Sequence, residues 1–229
     1  MTDSPTPQVV YNINVIQNKK VSDNRFLLTT TKPQNFNYLP GQFAILQEIN
    51  DGVKIARPYS ILSVPQEKVL MFYIKMVPDG MLTPKLYKKE PGDVIYLTGP
   101  YGNLTHLEIG VPDKLILIAM GSGIAAVRPL AKYYASFRDT TKLTIIHQAR
   151  FRDNLIFYDE LKHLGNYIPV LSKEKTNDAL FGHFPEYKNK WFDKRATYVI
   201  VGKSDKVEHF FNMLASWGAD KSRMYTEKY

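Results

Sequence analysis

Arg57-Pro58-Tyr59-Ser60 puts a fixed cation, a flat ring and a small hydroxyl within four residues of one extended segment. Side chains alternate with period two along a strand, so Arg57 and Tyr59 share one face and Pro58 and Ser60 the other. A cation can pair with a pyrophosphate, a ring can stack on a planar heterocycle, and a hydroxyl can hydrogen-bond a reactive ring nitrogen. A flavin dinucleotide asks for those three groups. By itself the tetrapeptide fits a surface arginine and a core tyrosine equally well. A second candidate is Gly121-Ser122-Gly123, directly after the apolar run Leu115–Met120 and before a helical stretch. Glycines let a backbone turn sharply and approach a phosphate, and a helix N-terminus offers free N–H groups and a positive dipole end. The three-glycine dinucleotide fingerprint is missing, so a plain strand-to-helix turn remains open here.

Two kinds of element would have to position these groups. The first half reads as short strands over 9–16, 25–31, 42–47, 57–62, 69–76 and 93–98, rich in β-branched and aromatic residues and punctuated by Pro33, Pro40-Gly41, Gly52 and Pro91-Gly92. Six such strands predict a small antiparallel barrel. One helix interrupts them, with Thr83 as its expected cap and Pro84 in its first turn. The second half alternates strands at 114–120, 142–147, 167–171, 197–201 and 223–225 with helices reaching 137 and spanning 154–164 and 205–217. That rhythm predicts an open parallel sheet. Pro129 fits a regular helix that starts near 126–128. The expected division is 1–110 and 111–229, with the switch near 107–113.

The chain has 229 residues, 44% hydrophobic and 13% aromatic, which is ample for packed cores and excludes a disordered protein. No apolar run approaches membrane-spanning length. The N-terminal residues lack the basic and apolar regions of a secretory signal, so the cytoplasm is the expected location. With no cysteine there is no disulfide, thiolate zinc site or cysteine-ligated iron–sulfur cluster. The five histidines show no metal-binding spacing, and no metal is expected. Residues 1–110 carry 11 basic and 9 acidic side chains, and 111–229 carry 19 and 13, so the +8 charge lies mostly in the second half. The lysines are scattered among acids, which argues against nucleic acid and leaves a phosphorylated cofactor or an acidic protein as partner.

These motifs, in this order, resemble the ferredoxin–NADP⁺ reductase superfamily nearly end to end. The flavin motif appears as Arg57-Pro58-Tyr59-Ser60 after Pro40-Gly41-Gln42-Phe43. The flavin-phosphate motif appears as Gly80-Met81-Leu82-Thr83, and the barrel-closing motif as Gly99-Pro100-Tyr101-Gly102. The pyridine-nucleotide loop is similar to Gly121-Ser122-Gly123-Ile124-Ala125, followed by Gln148-Ala149-Arg150, and Glu227-Lys228-Tyr229 resembles the Glu-x-Tyr ending of plastid-type members. The resemblance implies a Greek-key β-barrel flavin domain followed by a Rossmann-like parallel α/β domain that binds NAD(P).

The same resemblance implies roles. Arg57 and Pro58 belong to the FAD site, where Arg57 would pair with the pyrophosphate. Tyr59 would stack on the isoalloxazine and Ser60 would hydrogen-bond its N5. Tyr73, Ile74 and Lys75 join the cofactor-binding set, and Gly80, Met81, Leu82 and Thr83 would hold phosphates. Gly121, Ser122 and Gly123 would take the nucleotide, with Arg150, Ser172 and Lys173 at its 2′-phosphate end and Arg152 assisting. Tyr229 would cover the flavin face and Glu227 would support transfer. Two departures stand out: Val201 replaces the family's cysteine in Val201-Gly202-Lys203, and Ala126 replaces its proline. The expected activity is hydride transfer between NADPH, favoured over NADH, and FAD, then electron transfer to an acidic carrier such as ferredoxin or flavodoxin. Other readings are a flavin or ferric reductase, the reductase component of an oxygenase, and a flavin-binding sensor module without fast chemistry.

Overall fold

The computed structural model describes residues 9–229 apart from 23, 51 and 138. In the first half, alternation of apolar and polar residues makes the strands. In β2 (Arg25–Thr31), Phe26, Leu28 and Thr30 are buried while their neighbours stay partly exposed. The strand sits in a six-stranded sheet with β1 (Tyr11–Ser22), β3 (Phe43–Asn50), β4 (Val53–Ser60), β5 (Val69–Lys75) and β6 (Val94–Tyr101). The order is β4-β3-β6-β1-β2-β5, and every pairing is antiparallel. The outer strands curl toward each other: Leu62, just past β4, donates its N–H to Met71 O in β5 at 2.8 Å. This makes the sheet barrel-like around Phe26, Phe36, Leu46, Phe72 and Leu97.

The second half supplies β7 (Leu115–Met120), β8 (Leu143–Ala149), β9 (Asn166–Leu171), β10 (Leu180–Phe181), β11 (Thr197–Gly202) and β12 (Met224–Lys228). They form a wholly parallel sheet in the order β10-β9-β8-β7-β11-β12. β7, β8 and β11 are buried along their whole length because helices cover both faces. The helices α1 (Thr83–Lys88) and α2 (His106–Ile109) belong to the connections before the parallel sheet. α3 (Ile124–Ala135) packs over Leu117, Val199 and Val201, and this layer also meets Leu62 and Tyr73 of the barrel. α5 (Ser204–Ser216) packs over Ile116, Ile118 and Ile200 on the other face. The strand order reverses on either side of β7, so the crevice at a topological switch point opens beyond Met120.

Several expectations need correction. β4 runs Val53–Ser60 rather than 57–62, since Ile61 and Leu62 leave the sheet to bond Gln42 and Met71. Thr83 does not cap α1. Its hydroxyl instead accepts from Val77 N–H at 3.0 Å, and Leu82 precedes the helix without a side-chain cap. α3 already begins at Ile124 and carries Pro129 in its second turn, where burial of the surrounding residues outweighs the lost hydrogen bond. The expected helix over 154–164 shrinks to α4 (Tyr158–Lys162), because Phe157 ahead of it is left-handed at φ 58°. The last strand is longer than expected and carries Glu227 within it.

Candidate active site

The end of β4 brings Ser60 to the parallel sheet. Ser60 Oγ donates to Glu227 Oε1 at 2.9 Å, a bond between residues 167 apart in sequence. Glu227 is delivered by β12, which lies in register on β11 with Val201 opposite it. Burial pushes the Glu227 carboxyl above its ordinary range, and the Ser60 hydroxyl pulls part of the way back. Beside Ser60, Tyr59 rests its ring on the barrel core, and burial pushes its phenol up to about 12 against the opposing pull of Arg57. Arg57 and Pro58 are exposed, and Arg57 Nη1 donates to Ala56 O at 2.7 Å. The cation is therefore free of any carboxylate among the described residues.

The glycine loop stands at the switch point. Gly121 is left-handed at φ 61°, which a side chain would resist, and a Cβ on Gly123 would lie 2.3 Å from Val201 O. The loop packs so closely that only glycine fits at 123. Tyr229 closes over it: its hydroxyl donates to Met120 O at 2.8 Å, and its backbone N–H bonds Gly202 O at 3.2 Å. Burial raises the Tyr229 phenol, while Ser122, Arg25 and the Gly123 N–H pull it down. The residue as a whole remains 53% exposed. Its hydroxyl is anchored in the loop and the rest of it is open to displacement.

Between the barrel and the carboxyl ends of β7, β8 and β9 lies a cavity of about 480 Å³. Its walls include Arg25 and Lys75 from the barrel and Arg150, Lys203 and Lys206 from the parallel-sheet side, with Gly121, Ser122, Ser172 and Tyr229 between. Among the described residues no Asp or Glu lines it. Of the expected nucleotide residues, Gly121, Ser122, Arg150 and Ser172 meet here, whereas Lys173 is exposed outside and Arg152 is held by Asp178 at 2.8 Å. Lys75, expected in the cofactor-binding set, lines this cavity. Tyr73 is buried under Arg25, and Ile74 is part of the barrel core. Gly80, Met81, Leu82 and Thr83 form a separate turn, with Gly80 N–H bonded to Val77 O at 2.9 Å and Met81 exposed.

Sequence reading missed Arg25, Lys203, Lys206 and His147. Lys203 follows the Val201-Gly202 pair that was noted, but its side chain had no assigned role. His147 is wholly buried on β8, and desolvation together with the Arg25 charge pushes it down to about 3, so it is a neutral neighbour.

Residues 12–106 match the oxidoreductase FAD-binding domain family. The flavodoxin/ferredoxin–NADP reductase of Buchnera aphidicola is 30% identical over 219 residues, 87% of this chain and 88% of that protein. The sulfhydrogenase 2 gamma subunit of Pyrococcus furiosus is 29% identical over 163 residues, covering 69% of this chain and 55% of the relative. A glycine betaine monooxygenase reductase subunit of Chromohalobacter salexigens is 27% identical over 63% of this chain, which spans 39% of that subunit. A ferredoxin NADP+ reductase of Neisseria gonorrhoeae, solved with FAD and NADP, has the same fold at TM-score 0.86, covering 96% of this chain and 98% of that one at 20% identity. The chain belongs to the ferredoxin–NADP⁺ reductase superfamily of FAD-dependent NAD(P)H oxidoreductases.

Proposed function

We propose that this protein oxidises NADPH at its FAD and passes the electrons to a small acidic carrier, a ferredoxin or flavodoxin. The observation that carries the reading is the Ser60–Glu227 bond, which joins the flavin motif of one sheet to the nucleotide sheet beside the loop closed by Tyr229. The residues suit FAD. A Cβ on Gly80 would lie 3.0 Å from both Val77 O and Thr83 Oγ1, so that turn is a cradle only glycine leaves open. Arg57 is an exposed cation with no ion pair among the described residues.

When bound, FAD supplies a two-electron acceptor that can return electrons singly. The chain's own residues do the rest. Arg57 and the turn at 80–83 hold phosphates, Tyr59 gives a stacking face, and Ser60 places its hydroxyl at the reacting edge. Glu227, whose carboxyl burial raises, accepts the Ser60 hydrogen bond and orients that hydroxyl. Tyr229 shields the site from water until a nicotinamide displaces it, so orientation is imposed by the protein rather than by chance encounter. Five cations and, among the described residues, no Asp or Glu around the cavity support a coenzyme with an added phosphate, hence NADPH over NADH. Division of the chain at 110/111 and a cytoplasmic location belong to the same reading.

The net charge of +8 supports an acidic partner through electrostatic steering. A chain without cysteine has no cysteine ligand for an iron–sulfur cluster, which disfavours an oxygenase component that carries the cluster on this chain. An anaerobic titration with NADPH and NADH in parallel tests the proposal. The oxidised flavin band should bleach within seconds with NADPH and more slowly with NADH. Persistence of the band with both, or a colourless protein that takes up no FAD, would overturn it.

A further inference from the structure

Arg25 has an arrangement that the flavin and nucleotide motifs leave unexplained. Its Nη1 is buried with no close hydrogen-bond acceptor among the described residues, and its polar neighbour there is the Tyr73 phenol, which it pulls down against burial. A cation set against a neutral phenol keeps most of its charge unpaired. Arg25 also stands in register opposite Lys75 across the β2–β5 pair. Residues opposite each other in an antiparallel pair share a face, and like charges placed so repel. Neither cation has an ion pair among the described residues, and both line the cavity. Water could satisfy a lone N–H, but it cannot neutralise two opposed cations.

The surroundings fix the guanidinium in place. It lies over the Tyr73 ring at 5.5 Å, which sets its plane. Its Nη2 would be 3.2 Å from a Cβ on Gly121, and the Tyr229 hydroxyl would be 4.0 Å from that same point. The fork therefore stands at the glycine loop and beside the residue that closes it, facing the wall that carries Arg150, Lys203 and Lys206.

We propose that Arg25 receives a phosphate of the dinucleotide coenzyme from the barrel side of the cleft and is a binding residue for that coenzyme. This inference rests on the NADPH-oxidising reading above. A planar fork accepts two phosphate oxygens at once, whereas Lys75 acts as a point charge. The phosphate would relieve the Arg25–Lys75 repulsion, so binding gains both contact and release of stored strain. The cleft is then gripped from both sheets, and the barrel takes part in holding the nucleotide.

Calorimetric titration of the oxidised holoprotein with NADP⁺ tests this in wild type, Arg25→Gln and Arg25→Lys. Arg25→Gln should bind NADP⁺ roughly 10- to 100-fold more weakly, as expected for a lost charge-assisted hydrogen bond. Arg25→Lys keeps the charge but loses the fork, and should fall between the two. Flavin reduction by N-benzyl-1,4-dihydronicotinamide, which carries no phosphate, should fall much less in Arg25→Gln than reduction by NADPH does. An NADP⁺ affinity within about two-fold of wild type in both variants overturns the inference. So does a parallel loss of reduction by the phosphate-free donor. If Arg25→Gln fails to hold flavin, Arg25→Lys decides alone: weaker NADP⁺ binding supports the inference and unchanged binding overturns it. If wild type is reduced by neither donor, the hydride-transfer reading falls, while the NADP⁺ affinities still decide the role of Arg25.

Discussion

Arg128 ties the two sheets together, and the cost of removing it can be worked out. It lies on α3 and is 2% exposed, yet every one of its N–H donors is engaged. Nε and Nη2 donate to Glu160 at 2.7 and 2.9 Å, Nη2 and Nη1 to Glu67 at 2.9 and 3.4 Å, and Nη1 to Leu62 O at 2.9 Å. The Phe157 ring covers its face at 4.2 Å. Glu67 and Leu62 belong to the barrel side, Glu160 to α4. Arg128→Met keeps the stem volume but leaves two carboxylates facing each other with only Lys132, at 3.5 and 3.4 Å, between them. Breaking a buried pair in this way costs about 3–5 kcal/mol. At roughly 2–4 °C per kcal/mol for a chain of this size, Tm should fall by about 6–20 °C. Burial pushes the Glu67 carboxyl up, but Arg128, the Val64 N–H and Lys132 together hold it below its ordinary value. A depressed carboxyl adds stability above its unfolded pKa and loses it as pH falls through the folded value. The gap between wild type and Arg128→Met should therefore narrow in acid. Thermal melts followed by circular dichroism, with saturating FAD so that the ligand contribution is constant, measure both effects. Adding Glu67→Gln and Glu160→Gln to Arg128→Met should recover most of the loss. A fall in Tm below about 3 °C would refute the clamp, since it corresponds to no more than a surface pair.

Glu227→Gln removes a carboxyl whose burial raises its pKa while keeping a partner for Ser60. A carboxyl raised in the fold contributes stability below its unfolded pKa and loses it as pH rises through the folded value. Glu227→Gln should thus gain on wild type as pH rises from the ordinary carboxylate range toward neutral, and parallel Tm-versus-pH curves would sink the assignment. Gly123→Ala places a Cβ 2.3 Å from Val201 O, a backbone atom that cannot swing aside. Overpacking of this kind should cost about 1–3 kcal/mol and displace the loop. Loss of NADP⁺ affinity in calorimetry together with a lower Tm is the expected result, and an unchanged affinity would mean that the loop does not touch the coenzyme.

The fold was legible because its local signals agree with one another. β2 was read at its true bounds from its β-branched and aromatic content between turn signals, and the apolar run Leu115–Met120 announced a strand covered on both faces. Local signals also misled. Thr83 has the right identity for a cap, but its hydroxyl is spent on Val77, a contact set by how the preceding turn folds. The helix over 154–164 looked continuous, but the non-helical Leu155 and the left-handed Phe157 break it, the latter where its ring covers Arg128. The site was half legible. Ser60 and Glu227 were each picked out by motif, but the bond between them spans 167 positions and needs both sheets. Arg25 was invisible, because its neighbours Lys75, Gly121 and Tyr229 come from three distant segments and no short pattern joins them.

One feature of the parallel sheet accounts for the site as a unit. Pro169, His147, Ala119, Val201 and Glu227 occupy a single row across β9, β8, β7, β11 and β12, each in register with the next. Residues in one row of a parallel sheet present their side chains to the same face. Ala119 and Val201 lie in the layer that also meets Leu62 and Tyr73 of the barrel. The row therefore faces the barrel wall, where His147 feels the charge of Arg25 and Glu227 meets Ser60. Val201 holds the middle of that row through backbone pairing and packing, and neither requires the sulfur of a cysteine. The substitution therefore leaves the placement of Glu227 intact, which is the reason to read this chain as a working reductase rather than a silent flavin module.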